Sequence, residues 1–204
     1  MIKNIIFDYG DVFINLDKPA TEMHLLKLGL EQITEEMLDV CKLYETGQIS
    51  TQEFVETFTT MYPAISEKQF IDAWNAILKD FPLHRLQFIK ELAASGKYRL
   101  FLLSNTNELH ISWIQNDWRM ELYNEFKDCF EQFYLSHEIQ LRKPNANIYE
   151  FVLNENALKP EESFFIDDTK ENTDAAKKLG IHVWNINPET EDVVDLLAQK
   201  EFEK

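Results

Sequence analysis

Asp8, Ser104, Lys143 and the pair Asp167–Asp168 are the residues of this chain whose types could do chemistry together. Three carboxylates gathered within about 4–5 Å repel by roughly 3–4 kcal/mol per pair at an effective dielectric near 20. A cation must offset that. Lys143 supplies one positive charge, and a divalent ion supplies two; hard carboxylate oxygens suit Mg²⁺. Beside them, a hydroxyl such as that of Ser104 can hold an anion's oxygen. Taken singly, none of these residues says much. An Asp after a strand is commonly a turn or a helix cap, a Ser-Asn-Thr run is commonly an N-cap, and a Lys-Pro dipeptide carries little information. Their value lies in where the chain puts them.

Three of these positions directly follow short, continuously apolar runs. Ile5-Ile6-Phe7 ends at Asp8, Arg99-Leu100-Phe101-Leu102-Leu103 ends at Ser104, and Ser163-Phe164-Phe165-Ile166 ends at Asp167–Asp168. Such runs read as buried parallel strands. Phe133-Tyr134-Leu135 and Ile181-His182-Val183-Trp184 read as two more, with Lys143 beyond the former and just before Pro144, where a helix is expected to begin. Helical spacing fills the intervals, including about Asn107 to Asn116 and the segment stopped by Gly180. Alternating strands and helices imply right-handed βαβ units and one parallel sheet. In such a sheet the strand ends share one carboxyl edge, where ligands bind. The five residues therefore converge if the sheet is parallel.

Between the first and second strands the pattern is helical from about Lys18 to Leu92, with apolar steps such as Phe54, Phe58, Met61 and Phe70, Trp74, Ile77. Ser50-Thr51-Gln52-Glu53 has the form of a capping box, and Ser66 is placed to cap the next helix. We therefore expect an α/β core made of residues 1–17 and 84–204, with a helical cap over residues 18–83.

Composition bounds the partners. The 204 residues are 45% apolar, with 15 Phe and 4 Trp, enough for one domain with a sizeable core and an insertion. A net charge of −16 repels nucleic acid and acidic membranes. It leaves room for a small anion, because local cations outweigh a screened field over about 8–10 Å. No apolar run is long enough to span a bilayer, and the start has no signal-like segment. Cys41 and Cys129 have no redox or zinc spacing and are expected as free thiols, as suits a cytoplasmic protein, monomer or homodimer. The histidines show no ligand spacing; His24 and Glu45, in the cap, are the candidates for a proton donor. Tyr9, Val12, Phe13, Trp113 and Trp118 are expected to pack.

Four segments in this order resemble the haloacid dehalogenase superfamily: Phe7-Asp8-Tyr9-Gly10-Asp11-Val12, Leu102-Leu103-Ser104-Asn105-Thr106-Asn107, Arg142-Lys143-Pro144 and Phe165-Ile166-Asp167-Asp168-Thr169-Lys170-Glu171-Asn172. The likeness covers nearly the whole chain. With Tyr44-Glu45-Thr46-Gly47-Gln48-Ile49-Ser50 in the cap, it is similar to bacterial sugar-phosphate phosphatases of the glucose 1-phosphate type. The resemblance implies a Rossmann-like parallel sheet flanked by helices, a small α-helical cap and a Mg²⁺-dependent phosphatase acting on a small phosphorylated metabolite. It implies Asp8 as the nucleophile that becomes an aspartyl-phosphate. It makes Ser104 and the Asn105 N–H the holders of phosphoryl oxygens, and Lys143 the neutralising cation. Metal ligands would be Asp8, the Gly10 carbonyl and Asp168, with Asp167 a second ligand or an outer partner.

The chain departs from that family at Gly10, where most relatives carry a second Asp that protonates the leaving oxygen. General acid–base help is worth about 10²–10⁴-fold. Strand alternation sends Asp11 to the other side from Asp8, so it replaces the missing group only if the loop turns sharply. A 2-haloacid dehalogenase, or a binding protein that kept the fold and lost turnover, are the alternatives. The Asp167–Asp168 pair argues against the former, and Gly10 alone favours the latter. Gln140, where a Gly is common in the family, is expected in extended backbone.

Overall fold

The computed structural model describes residues 1–199 and Phe202. Five parallel strands form one sheet in the order β3-β2-β1-β4-β5: β1 Asn4–Phe7, β2 Arg99–Ser104, β3 Gln132–Leu135, β4 Ser163–Asp167 and β5 His182–Asn185. Their apolar residues alternate between two layers, as period-two geometry requires. Ile5, Phe7, Leu102 and Ile166 face a core closed by α5 (Leu83–Ala94), α6 (Glu108–Asp117) and α7 (Arg119–Lys127). Ile6, Phe101, Leu103 and Phe165 face a core closed by α9 (Ala146–Glu155) and α10 (Lys170–Lys178). Strands buried on both faces explain the unbroken apolar runs.

Register aligns the polar ends. Phe7 pairs with Leu102 on one side and Ile166 on the other, so Asp8 emerges between the ends of β2 and β4. At this central strand the order of connection reverses, leaving a crevice at the carboxyl edge.

Four helices leave the sheet after β1: α1 Ala20–Lys27, α2 Glu35–Glu45, α3 Thr51–Met61 and α4 Glu67–Asn75. They enclose an apolar cluster of their own, centred on Phe54, Phe58, Phe70 and Trp74. Ser50 and Ser66 each accept the N3 backbone N–H, and Glu53 and Gln69 reach back to the caps, so both predicted helix starts are present. The two connections to this insert pair as a short antiparallel ribbon: Leu16 bridges Leu78, and the Asp17 N–H donates to the Ile77 carbonyl at 2.8 Å.

Five details differ from the sequence reading. The helix after Pro144 begins at Ala146, with Asn145 at its N-cap. β5 is shifted one residue along, and α7 and the single turn α8 (Ser136–Ile139) were not foreseen. Gln140 is not extended: at φ 57° it ends α8 in the left-handed region, where a glycine is less strained than a glutamine.

Candidate active site

Lys143 decides the geometry of the carboxyl edge. Its side chain is 1% exposed, and Nζ stands 2.7 Å from Asp8 Oδ1 and 2.7 Å from Asp167 Oδ2. The approach to Asp8 Oδ1 is out of line for a hydrogen bond, so that buried oxygen has a charge beside it and no donor aimed at it. Asp167 is held on every side. Besides Lys143, its oxygens accept from the Thr169 N–H at 2.8 Å and from Asn172 Nδ2 at 3.0 and 3.1 Å. Asn185 Nδ2 fixes the turn from below, donating to the carbonyls of Asp167 and Asp168 at 3.1 and 2.8 Å. Lys143 is fixed in turn by Asn105, whose side-chain amide accepts from the Lys143 N–H and donates to its carbonyl, both at 2.9 Å.

A cavity of about 330 Å³ opens above this network, with Asp8, Gly10, Ser104, Asn105, Lys143 and Asp168 on its wall. Carboxylate oxygens of Asp8, Asp167 and Asp168 lie within 4.8 Å of one another. Burial, chiefly, with Asp167 and Asp168 adding to it, pushes the Asp8 carboxyl up to about 7 against the pull of Lys143. Burial by itself would depress the Lys143 ammonium, but Asp167 and Asp8 more than offset it and hold it above its usual value. Lys143, and Lys18 at the rim beside Asp168, still leave the three carboxylates one positive charge short. An all-oxygen donor set, an oxygen of Asp8 without a hydrogen bond and this charge deficit fit a divalent ion such as Mg²⁺.

All the predicted site residues meet here, whereas Asp11 and the two candidate donors of the insert, His24 and Glu45, lie off the wall of the Asp8 cavity. Asp11 does turn, at φ 54°, but its carboxylate accepts the Leu16 N–H at 2.9 Å and pairs with Lys18 at 3.1 Å, outside the Asp8 cavity wall. Over Gly10 sits Leu16: a Cβ on Gly10 would lie 2.7 Å from Leu16 Cδ1. His24 lines a separate surface hollow with Lys27 and Asp72. Glu45 reaches the neighbourhood, but its carboxylate is engaged by Arg142, whose Nε donates to Oε2 at 2.6 Å. Glu45 lines a second hollow of about 140 Å³ that shares Gly10, Leu16, Ser104 and Asn105 with the first.

Sequence reasoning gave Lys18 no role and Arg142 only a place in a motif, while His110, read as structural or surface, is a buried structural ring. Lys18 lines the Asp8 cavity and its ammonium contacts the Asp168 carboxylate. His110 lies between insert and sheet, stacked on Trp74. Asn107 Oδ1 accepts from Trp74 Nε1 at 3.3 Å and from the His110 N–H at 3.1 Å. The Asn107 NH₂ therefore faces His110 Nδ1, and the imidazole proton on Nε2 is donated to the Trp74 carbonyl at 3.3 Å. Burial lowers the His110 pKa to about 4, keeping the ring neutral as this arrangement requires.

Residues 5–186 match the model of the haloacid dehalogenase-like hydrolase family. The chain belongs to that family. A D-ribitol-5-phosphate phosphatase of Bacteroides thetaiotaomicron is 28% identical over 191 residues, which cover 90% of this chain and 91% of the relative. A HAD family enzyme from the same organism, solved as a magnesium complex, superposes with a TM-score of 0.85 at 33% identity, covering 97% of this chain and 99% of that one. The wild-type form of that enzyme has also been solved with magnesium and inorganic phosphate, at a TM-score of 0.83 and 33% identity, over 96% of this chain and 99% of that one. A predicted HAD-like hydrolase of Porphyromonas gingivalis superposes at 0.85 with 29% identity, over 97% of each chain. Family, parallel-sheet fold and magnesium as the cofactor rest on these likenesses together with the carboxylate cluster. Among the described residues no helix is long and apolar enough to cross a membrane.

Proposed function

We propose that this chain is a Mg²⁺-dependent phosphatase that hydrolyses a small phosphomonoester, with sugar or polyol phosphates as its substrate class. One observation carries the reading: a buried lysine joins Asp8 to Asp167 at the floor of a cavity walled by Ser104 and Asp168. A carboxylate attacks phosphorus only when its repulsion from the substrate's oxygens is relieved, and this floor is built for that.

In this reading Asp8 is the nucleophile. Its oxygen bonds to phosphorus as the bond to the leaving oxygen breaks, giving an aspartyl-phosphate that water then hydrolyses. Ser104 and the Asn105 N–H hold phosphoryl oxygens, and the Lys143 ammonium neutralises Asp8 and the transferring group. Asp8, Asp168 and the Gly10 carbonyl would hold Mg²⁺. Asp167, already saturated by donors, acts behind them by positioning Lys143. When bound, the ion supplies the positive charge that the cluster lacks and lowers the Asp8 carboxyl into its ionised form at neutral pH. With Leu16 over Gly10, the leaving oxygen takes its proton from the cavity water or the substrate itself.

Residues 18–83 are read as the cap that closes over the leaving group, and the small hollow beside Glu45 as its berth. The free thiols Cys41 and Cys129 suit a reducing cytoplasm as the compartment. The dehalogenase alternative has no use for a carboxylate cluster of this kind.

Hydrolysis of p-nitrophenyl phosphate tests the reading. Turnover is expected with Mg²⁺, to vanish with EDTA and to return on adding Mg²⁺ back. Asp8→Asn is expected to remove it while the circular dichroism spectrum is unchanged. Metal-independent turnover, or an Asp8→Asn variant with the wild-type rate, rejects it. A screen of phosphorylated metabolites, with that variant as blank, then names the substrate.

A further inference from the structure

Lys18 lines the Asp8 cavity, yet neither attack on phosphorus nor the holding of its oxygens uses it. Its ammonium is shared by two carboxylates that are themselves nearly buried, Asp11 at 10% and Asp168 at 7% side-chain exposure. The arrangement is constructed from the backbone outward. The ribbon between Leu16 and Leu78 fixes the chain just before Lys18. Asp11, in left-handed backbone, turns its carboxylate so that one oxygen accepts the Leu16 N–H and the other meets Lys18. The ammonium is thereby tethered over Asp168 on the side facing the cavity.

We propose that Lys18 is a positioned counter-cation that weakens Mg²⁺ binding at Asp168, with Asp11 as the tether that limits the competition. The inference rests on the reading of Asp8 and Asp168 as metal ligands. A carboxylate that already donates its charge to an ammonium has less to offer a divalent ion, and the two cations repel. The Lys18 side chain is 56% exposed, so a water-like dielectric is the appropriate limit. In that limit a divalent and a monovalent charge about 5 Å apart repel by enough to change affinity about tenfold. A metal held less tightly exchanges more readily, so Lys18 sets how strongly activity follows the free Mg²⁺ level. Asp11 counters it: with a second anion to sit on, the ammonium spends part of its charge away from Asp168.

Calorimetric titration of Mg²⁺ into the metal-stripped 204-residue protein at fixed ionic strength measures this without turnover. Lys18→Met is expected to lower the Mg²⁺ Kd about tenfold. Lys18→Arg keeps the charge and is expected to stay within about twofold of wild type. Asp11→Asn keeps an acceptor for the Leu16 N–H, leaves Lys18 to Asp168 alone and is expected to raise Kd about threefold. Lys18→Gln replaces the Met variant if circular dichroism shows that one unfolded. An unchanged or higher Kd in the charge-removing variant overturns the proposal. So does an Arg variant that tightens equally, since packing rather than charge would then be at work, and so does tighter binding in Asp11→Asn. If wild-type protein takes up no Mg²⁺, the reading of the metal ligands fails instead.

Discussion

Replacing Lys143 by Met is the most informative single perturbation of the site. Met keeps an unbranched chain of similar length, so packing near the Phe165 ring, 5.5 Å from Nζ, is largely kept while the charge goes. The remaining carboxylates of Asp8, Asp167 and Asp168, with oxygens within 4.8 Å, would face one another with only the half-exposed Lys18 ammonium at Asp168 to offset them. Repulsion at that separation is roughly 3–4 kcal/mol per pair at an effective dielectric of 20. Loss of one partner from a buried pair costs about 3–5 kcal/mol by a separate line of experience, and the side chains here are 1%, 11% and 0% exposed for Lys143, Asp8 and Asp167. The two figures agree. We therefore expect Lys143→Met to lose about 3–5 kcal/mol at pH 8 in urea unfolding with EDTA present. Asp8, already raised to about 7, moves higher still when its cation is removed, so protons can take over the compensation at lower pH. By pH 5.5 the difference from wild type should shrink to about 1–2 kcal/mol. A loss below about 1 kcal/mol at pH 8, or one independent of pH, would refute the assignment of Lys143 as the charge that holds the cluster.

His110 gives the fold an acid-sensitive seam. Its pKa is depressed from 6.5 to about 4, so the unfolded chain binds the proton more readily. The stability this neutral ring contributes is complete above pH 6.5 and falls as pH drops toward 4, by about 3 kcal/mol. His110→Gln should flatten that part of the pH–stability curve, read as the difference between the two proteins, and an unaltered slope would exclude the ring as its source. At Gly47 the backbone of the insert lies directly against that of the sheet domain. Gly47 sits at φ 63°, and a Cβ there would lie 2.1 Å from the His137 carbonyl oxygen. Gly47→Ala should cost at least about 1–2 kcal/mol from backbone strain alone, measured by thermal unfolding; an unshifted midpoint would mean that the insert is not seated there.

Much of the fold was legible because buried parallel strands leave a plain signature. Ile5-Ile6-Phe7 and Ser163-Phe164-Phe165-Ile166 carry no alternation, since both faces are covered. Helix α7 escaped because Arg119 enters it at φ 64° with no side-chain cap, although Tyr123 and Phe126 stand at helical spacing on its buried face. Turn α8 is too short for periodicity to register. Gln140 misled because a glutamine gives no sign of left-handed backbone; the tight exit from α8 imposes it. Lys18 and Arg142 were invisible as site residues, because exposed-looking basic residues in loops carry no pattern until their partners are known.

What the sequence determined by itself is the set of polar residues at strand ends, because parallel pairing in register brings those ends to one edge whatever the loops do. The tertiary structure decided which group faces which. Lys143 lies between Asp8 and Asp167, Lys18 sits on Asp168, Leu16 covers Gly10, and Asp11 turns away from the cavity. Those pairings depend on loop dihedrals and on contacts across distant segments. Energies of a few kcal/mol select them there, and no local run of residues encodes them.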